Sequence, residues 1–313
     1  MKLFLLFLMF GVSLSSMHGE DMSPLISALP ATTKPRIDGI LDEPCWQTAE
    51  LSSPMVAIGG AAVKVPTWGK FCWDEKYLYV AIICNEPLMS DLQGRLQRKD
   101  LAQFEESIEV FINPSHDHSA YKQFRIGFMG ETDTHVQNDI DLTLTSQWHG
   151  AVHHAADAWT VEMAIPFEVI GMRPASNCLW GLNFNRQRSI QKTDMWTCWS
   201  DTKGGFHSPE HFGHLIFTDY AAWLKDYYGK RMDDADSEFQ SLLRRYPTST
   251  KTQATASEKL AERRRAFVRN VGDAKIGSGA QCQPMIKIGE ELVAAYEDEL
   301  VALRLTIIGG NFQ

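Results

Sequence analysis

Two neighbouring runs of the chain alternate between apolar and polar residues, a pattern typical of β-strands that have one buried face. In residues 107–112 the aliphatic side chains share one side and Glu109 lies on the other. Residues 121–128 alternate in the same way and place Arg125 on the polar side. Successive side chains of a strand point to opposite faces, so two such strands would bury one sheet face and leave a carboxylate and a guanidinium on the other. We expect the functional site on that polar face.

Further short β-type runs, separated by turn residues, extend from about Arg36 to Phe217 and predict an antiparallel, jelly-roll-like β-sandwich. The run 77–85 is apolar on both faces, which predicts a central strand. The candidate strands are 63–73, 77–85, 107–113, 121–129, 159–165, 180–188, 195–200 and 212–217.

The pattern changes to α-helix after Asp219, because apolar residues then recur at spacings of three and four. The predicted helices are 220–246, 256–271 and 284–306. We therefore predict a mostly β fold, with a sandwich over residues 30–218 and a helical extension over 219–313. The extension is expected to pack on the sandwich or to self-associate, and a linker to a partner protein is the alternative.

The first residues have the composition of a secretory signal peptide. One early lysine precedes about a dozen apolar residues and then small residues, which is short for a membrane span of about 20 residues. We predict a signal peptide over residues 1–19, no membrane span after its removal, and a secreted or periplasmic protein. A retained anchoring helix is the alternative.

The distribution of charge along the chain argues against one class of partner. The net charge of −9 lies almost entirely before residue 219, and an acidic sandwich would repel phosphate backbones, so nucleic acid is not an expected partner.

In an oxidising compartment the six cysteines could pair. We expect most of them to be buried small apolar residues instead.

Five short motifs follow one another along the predicted sandwich. The first reads Ile-Asp-Gly-Ile-Leu-Asp-Glu-Pro-Cys-Trp from Ile37 to Trp46, and the fourth reads Trp-Thr-Val-Glu-Met-Ala-Ile-Pro from Trp159 to Pro166. The others are Trp73–Val80, Glu106–Phe111 and Phe206–Gly213. In this order they resemble the family 9 carbohydrate-binding modules, which are appended to xylanases and other secreted polysaccharide-degrading enzymes.

The resemblance implies a β-sandwich that holds the end of a sugar chain between two aromatic rings. The two family positions for these rings fall on Phe104 and Phe206. The best-studied members have Trp at both positions, and Phe offers a smaller platform. Ordinary loop packing is the alternative role for both rings.

The resemblance also implies polar site residues. Glu109 and Arg125 match family positions that bind sugar hydroxyls, and Asn185 falls where the family places an amide. Trp199 is close in sequence to the second ring and is a further candidate. The alternatives are a cross-strand ion pair for Glu109 with Arg125 and a solvated amide for Asn185.

Metal sites are weaker candidates. Residues 207–211 match the letters of an H-x-x-E-H zinc motif, but Pro209 makes the continuous helix that this chemistry needs improbable. Some members of the resembled family bind structural calcium, and the acidic residues that could serve are Asp74, Glu75, Asp133, Asp139 and Asp141. We predict that no cofactor is required and that calcium is the possible exception.

These observations favour an exported, non-catalytic module that binds a carbohydrate, and we assign no catalytic residue. A glycoside hydrolase acting in carbohydrate catabolism is the second hypothesis, although only one glutamate is placed in the site. A haem-binding redox module on a related sandwich is the third.

Overall fold

The computed structural model describes residues 23–99, 101–246 and 251–310. The predicted signal peptide, residues 1–19, and the predicted helix break at Pro247 lie outside the described residues. The strands are β1 (Leu25–Ser27), β2 (Leu29–Pro30), β3 (Val56–Ala57), β4 (Thr67–Trp73), β5 (Tyr77–Asn85), β6 (Ser107–Asn113), β7 (Lys122–Gly127), β8 (Thr132–Val136), β9 (Asp139–Ile140), β10 (His149–His154), β11 (Ala158–Pro166), β12 (Trp180–Gln187), β13 (Trp196–Cys198) and β14 (Gly213–Ile216). The helices are α1 (Pro44–Thr48), α2 (Met89–Arg98), α3 (Leu142–Thr145), α4 (Phe167–Ile170), α5 (Tyr220–Arg245), α6 (Lys251–Asp273) and α7 (Gly279–Gly310).

The strands form two sheets. One is nine-stranded in the order β1-β14-β12-β6-β7-β8-β9, with β13 on β12 and β3 on β13. The other is five-stranded in the order β10-β11-β5-β4-β2, so β5 has a neighbour on each side, as its apolar faces predict. All neighbouring strands are antiparallel except the pairs β1–β14 and β2–β4.

The main core lies between the two sheets. Val80 and Val110 are fully buried there, one from each sheet, and so are Trp159 and Trp180. Fully burying an aliphatic side chain such as valine stabilises the fold by roughly 1.5 to 3 kcal/mol. The predicted sandwich is confirmed, and Trp46, Trp159 and Trp180 are all buried.

The first motif is attached to the five-stranded sheet by one carboxylate. Glu162 on β11 accepts hydrogen bonds from the backbone N–H groups of Asp38 and Gly39, at 2.9 and 2.8 Å. It also accepts one from the indole Nε1 of Trp46 at 2.7 Å. A Cβ at Gly39 would lie 2.5 Å from the backbone nitrogen of His153, and the φ of Gly39 is +86°, so this position requires glycine.

The helices α5 and α7 pack on the edge of the nine-stranded sheet that carries β1 and β14, and α6 packs on α5 and α7. Leu25 and Ile216 from these strands share an apolar cluster with Tyr220 and Trp223 of α5 and with Ile286 of α7. The predicted helical extension is confirmed. In the described part of the chain, no helix combines the length and the apolar character needed to span a membrane.

Five of the six cysteines are buried and Cys178 is partly buried, and all six are free thiols. The interpretation of most cysteines as small apolar core residues is therefore confirmed. Burial raises the pKa of the Cys84 thiol to about 12, which keeps it protonated.

Candidate functional site

A cavity of about 490 Å³ lies over the face of the nine-stranded sheet that points away from the main core. Its floor comes from β6, β7 and β8, and its walls come from β13 and from the loops around residues 58, 138 and 206. The lining residues are Ile58, Glu109, Gln123, Arg125, His135, Asn138, Trp196, Gly204, Gly205, Phe206 and His207. The cavity is therefore on the polar sheet face that the strand alternation singles out.

Glu109 is at the centre of the floor and is only 5% exposed. Its Oε2 accepts a hydrogen bond from Nε2 of Gln123 at 2.6 Å. Burial raises the pKa of the Glu109 carboxyl to about 7, and the nearby Arg125 charge offsets this only in part. Near neutral pH this carboxyl group can therefore both donate and accept a hydrogen bond.

Arg125 lies directly across from Glu109 in the β6–β7 register and from Asp133 in the β7–β8 register. Its guanidinium forms a two-pronged ion pair with Asp133, in which Nε lies 3.0 Å from Oδ1 and Nη2 contacts Oδ2. The carboxylate that holds Arg125 is thus Asp133, on a strand that the sequence pattern does not predict. The guanidinium carbon also lies 4.0 Å from the centroid of the Phe104 ring.

Asn185 lies on β12, in register with Glu109 on the other side from Arg125. Its side chain is fully buried, and neither Nδ2 nor Oδ1 has a hydrogen-bond partner within the described protein. Oε1 of Gln123 is also buried without a partner. Such groups cost free energy unless a water or a ligand satisfies them, so this part of the sheet face has unused hydrogen-bonding capacity.

The aromatic wall of the cavity combines two rings and an imidazole. The rings of Trp196 and Phe206 contact edge to face, with centroids 5.6 Å apart and an interplanar angle of 68°. His207 Nδ1 lies 2.9 Å from the Tyr121 hydroxyl, and the imidazole contacts the edge of the Phe111 ring. Burial lowers the pKa of His207, so its imidazole is neutral at neutral pH.

Trp199 lies on the opposite side of its segment from the cavity. Its ring stacks on Phe184 in the main core, with centroids 5.2 Å apart, and its Nε1 donates to Ser53 Oγ. It is 3% exposed and does not line the cavity. The reason is the strand alternation, since Trp196 and Cys198 share the outer side and the residue after Cys198 turns inward.

Three of the five acidic residues considered for calcium have other partners. Asp133 holds Arg125, and Asp141 caps α3 by accepting a hydrogen bond from Leu144 N. Asp74 accepts hydrogen bonds from two backbone N–H groups and from the Tyr79 hydroxyl. Among the residues that the structure describes, no group of three or more His, Cys, Asp and Glu side chains is arranged to hold a metal ion.

The H-x-x-E-H letters fall on a short 3-10 helix at Pro209–His211 followed directly by β14. His207 precedes this helix, so the two histidines of the motif are not on one face of a continuous α-helix. The structure therefore lacks the helical geometry that a zinc peptidase of this type needs.

Over residues 37–220, more than half of its length, the chain matches the family described as "Carbohydrate family 9 binding domain-like". The chain belongs to this family. The resemblance read from the five motifs is therefore confirmed, and the sandwich described above contains nearly all of the matched residues.

Several xylanases are related in sequence to this family 9 chain. Endo-1,4-beta-xylanase A of Thermotoga maritima is 27% identical over 189 residues, which make up 58% of this chain and 17% of that protein. Endo-1,4-beta-xylanase A of Thermotoga neapolitana is 27% identical over 202 residues, 61% of this chain and 18% of that protein. The chain thus spans less than a fifth of the length of these relatives.

Solved structures are also similar to this family 9 chain. A carbohydrate binding module family 9 from Caldicellulosiruptor kristjanssonii in complex with cellotriose is 17% identical, with a TM-score of 0.48, over 62% of this chain and 93% of that one. The same module in complex with glucose is 17% identical, with a TM-score of 0.49, over 62% of this chain and 95% of that one.

The fold brings together three of the six predicted site residues as lining of one cavity, namely Glu109, Arg125 and Phe206. Phe104 adjoins the cavity through its contact with Arg125, and Asn185 lies beside Glu109 on the neighbouring strand. The lining residues that the sequence interpretation does not assign to the site include Gln123, His135 and Trp196. Strand alternation places Gln123 on the same sheet face as Arg125, so Gln123 could be assigned to the site from the sequence pattern.

Proposed function

We propose that this chain is an exported, non-catalytic module that holds a mono- or oligosaccharide, or a chain end of a plant-type polysaccharide, in the cavity over Glu109. The observation that carries the proposal is the composition of the cavity. Buried hydrogen-bonding groups of Glu109 and Gln123 form its floor, and aromatic rings stand directly beside them.

The chemistry of a pyranose fits this arrangement. A sugar ring presents C–H groups on its faces and hydroxyls at its rim, so it matches an aromatic surface next to hydrogen-bonding groups. Burying on the order of 100 Å² of C–H surface contributes roughly 2 to 3 kcal/mol. Two or three hydrogen bonds to charged groups add about 1.5 to 3 kcal/mol each, and association costs at least about 4 kcal/mol. We therefore expect dissociation constants between about 1 μM and 1 mM.

Balanced charges in the cavity favour a neutral sugar. Asp133 neutralises Arg125, and the raised pKa of Glu109 leaves that carboxyl only partly ionised near pH 7. A sulfated or uronic-acid polymer would meet the acidic surface of the sandwich without a free guanidinium to bind it. We therefore expect glucose- or xylose-based ligands to bind better than anionic ones.

The carboxyl groups favour binding over hydrolysis. Glycosidases use two carboxyl groups, about 5 Å apart when they retain configuration and farther apart when they invert it. Glu109 is the one carboxyl group among the lining residues of the described chain, and both oxygens of the neighbouring Asp133 bond to Arg125. Catalysis would also be detected directly as release of reducing ends from xylan.

Clamping of the sugar between Phe104 and Phe206, which the family resemblance implies, stays a prediction. Phe206 lines the cavity, while Phe104 lies against the guanidinium of Arg125 beside it. Comparing Phe104→Ala with Phe206→Ala tests how far each ring contributes.

Calorimetric titration of the purified protein with glucose, xylose, cellobiose, cellotriose and xylobiose tests the proposed function. We expect binding of at least one of these sugars. At pH 8, where Glu109 is mostly ionised, we expect at least a tenfold loss for Glu109→Gln, because one hydrogen bond to a charged group is worth about that much. Glu168→Gln, at an exposed glutamate on α4, is the matched control and should bind as the wild type does. No binding of any of these sugars at millimolar concentration would overturn the proposal, and so would turnover of xylan that is abolished in Glu109→Gln.

A further inference from the structure

We infer that Trp196 is the aromatic surface on which the bound sugar stacks, and that Phe206 holds the Trp196 ring in place. This inference rests on the proposed function, since it names the ring that recognises the sugar in the same cavity. It assigns the stacking role to a residue outside the two motif positions at Phe104 and Phe206.

The Trp196 ring is much more exposed to solvent than the Phe206 ring. Trp196 is 44% exposed, whereas Phe206 is 7% exposed. The other tryptophans of the described chain are buried or partly buried. A large aromatic ring that is left open to solvent and lines a cavity has a face available to a ligand, and its burial by a sugar would be favourable.

The Phe206 ring is packed among other aromatic side chains. Its ring belongs to an apolar cluster on the outer face of the nine-stranded sheet, together with Phe111, Tyr121 and Phe212. Most of its surface is therefore already used in packing. What it presents toward Trp196 is an edge-to-face contact, which fixes the orientation of the exposed indole.

The backbone supports the same assignment. Trp196 begins β13 and lies opposite Gln187 in the β12–β13 register, while Cys198 lies opposite Asn185. The indole is therefore on the same sheet side as Asn185 and Glu109. Thr197 points the other way, and its hydroxyl contacts the buried sulfur of Met55.

Phe104 is the other ring at a family position, and its face is already occupied. Its face lies on the guanidinium of Arg125, 4.0 Å from the ring centroid, and its backbone N–H donates to Glu131 Oε1 at 2.6 Å. To stack on a sugar, this ring would have to give up a cation–π contact. Trp196 gives up only its hydration.

The test compares Trp196→Ala, Trp196→Phe and Trp68→Ala by calorimetric titration with the sugar that the wild type binds best. Trp68 lies on the five-stranded sheet and is partly buried, so it controls for the loss of an indole elsewhere. We expect about a tenfold or greater loss of affinity for Trp196→Ala, a smaller loss for Trp196→Phe and no change for Trp68→Ala. Equal affinities of the wild type and Trp196→Ala would overturn this inference alone, whereas no binding by the wild type would overturn the proposed function as well.

Tryptophan fluorescence gives an independent reading of the same contact. The sugar should protect the wild type from acrylamide quenching, and this protection should be absent in Trp196→Phe, in which the exposed indole is missing. Sugar protection that persists in Trp196→Phe would overturn the stacking role.

The positioning role of Phe206 has its own readout. In Phe206→Ala the indole loses its edge contact, so we expect more acrylamide quenching of Trp196 without sugar and a weaker affinity, with both restored toward the wild type in Phe206→Tyr. A Phe206→Ala protein that loses affinity while its quenching stays as in the wild type would contradict positioning through Trp196.

Discussion

Glu86 and Arg188 form a fully buried, two-pronged ion pair at one end of the sandwich. Arg188 Nε lies 2.7 Å from Oε2 of Glu86, and Nη2 lies 2.9 Å from Oε1. Arg186 adds a third hydrogen bond to Oε2 at 2.8 Å. The Glu86 carboxylate thus bonds to two guanidinium groups that are each about 1% exposed, and these hydrogen bonds hold the pKa of Glu86 below its ordinary value.

Glu86→Gln should lower the free energy of unfolding by about 3 to 5 kcal/mol, because it removes the carboxylate charge to which two buried guanidinium groups bond. Urea denaturation at neutral pH measures the loss. Glu168→Gln removes an exposed carboxylate and should change the free energy of unfolding by less than about 0.5 kcal/mol. A loss below 1 kcal/mol for Glu86→Gln would show that the pair is not needed to compensate the two arginines.

Glu109 should make the wild type less stable as the pH rises from about 4.3 to 7. Its pKa is about 7 in the folded chain and about 4.3 in an unfolded one, so in this range the folded state binds more protons. Glu109→Gln removes this dependence, and its unfolding free energy should exceed that of the wild type by more at pH 8 than at pH 4. Urea denaturation at the two pH values checks the difference, and a difference that is the same at both would be inconsistent with the raised pKa.

A buried histidine pair predicts a loss of stability in acid. His116 Nε2 and His214 Nδ1 lie 2.8 Å apart, and burial lowers their pKa values to about 4 and about 3. The unfolded chain takes up these protons near pH 6.5, so stability is lost as the pH falls from 6.5 through 4. Denaturation midpoints should therefore fall less over this range in His116→Gln than in the wild type. His153→Gln, at an exposed histidine, is the control and should leave the wild-type dependence unchanged.

Gly279 is required where α7 begins against β1. A Cβ at this position would lie 1.9 Å from the backbone oxygen of Leu25, and the Gly279 N–H donates to Glu50 Oε1 at 3.3 Å. Gly279→Ala should lower the unfolding free energy by about 1 to 3 kcal/mol and speed amide hydrogen exchange in α7 more than in β6. At Gly277 a Cβ would meet only the end of the Gln281 side chain at 3.5 Å, so Gly277→Ala should have a small effect.

The strands with regular alternation were predictable from the sequence. Residues 107–113 form β6 as predicted, because aliphatic side chains occupy one side and polar ones the other, with Phe111 as the exception. β8 lacks this signal, since Asp133 and His135 share one side and the other side carries Thr134 rather than an aliphatic residue. The ion pair of Arg125 with Asp133 could therefore not be inferred.

Long-range contacts account for much of the remaining difference between the predicted elements and those in the structure. β1 pairs in parallel with β14, almost 190 residues later, and no local pattern in Leu25–Ser27 reveals this partner. α2 has a polar sequence with Gly94 inside it and has no side-chain cap at its first residue, so its helical signal is weak. α7 starts at Gly279 rather than at residue 284, because its first turns pack against β1.

Trp196 lines the cavity and Trp199 does not, although they are only three positions apart. Both lie close in sequence to the second aromatic position, and nearness in sequence favours Trp199. Counting sides along β13 separates them, because Trp196 shares a side with Cys198 and Trp199 does not. The burial pattern of a three-residue strand becomes visible only when its partner strand is known.

The contact between Trp46 and Glu162 has a consequence for synthesis of the chain. The two residues are 116 positions apart, so the opening segment emerges from the ribosome long before its carboxylate partner exists. The indole and the two amide groups near Gly39 must stay hydrated or find temporary partners during that interval. We therefore expect this segment to dock late, after β11 has joined the sheet.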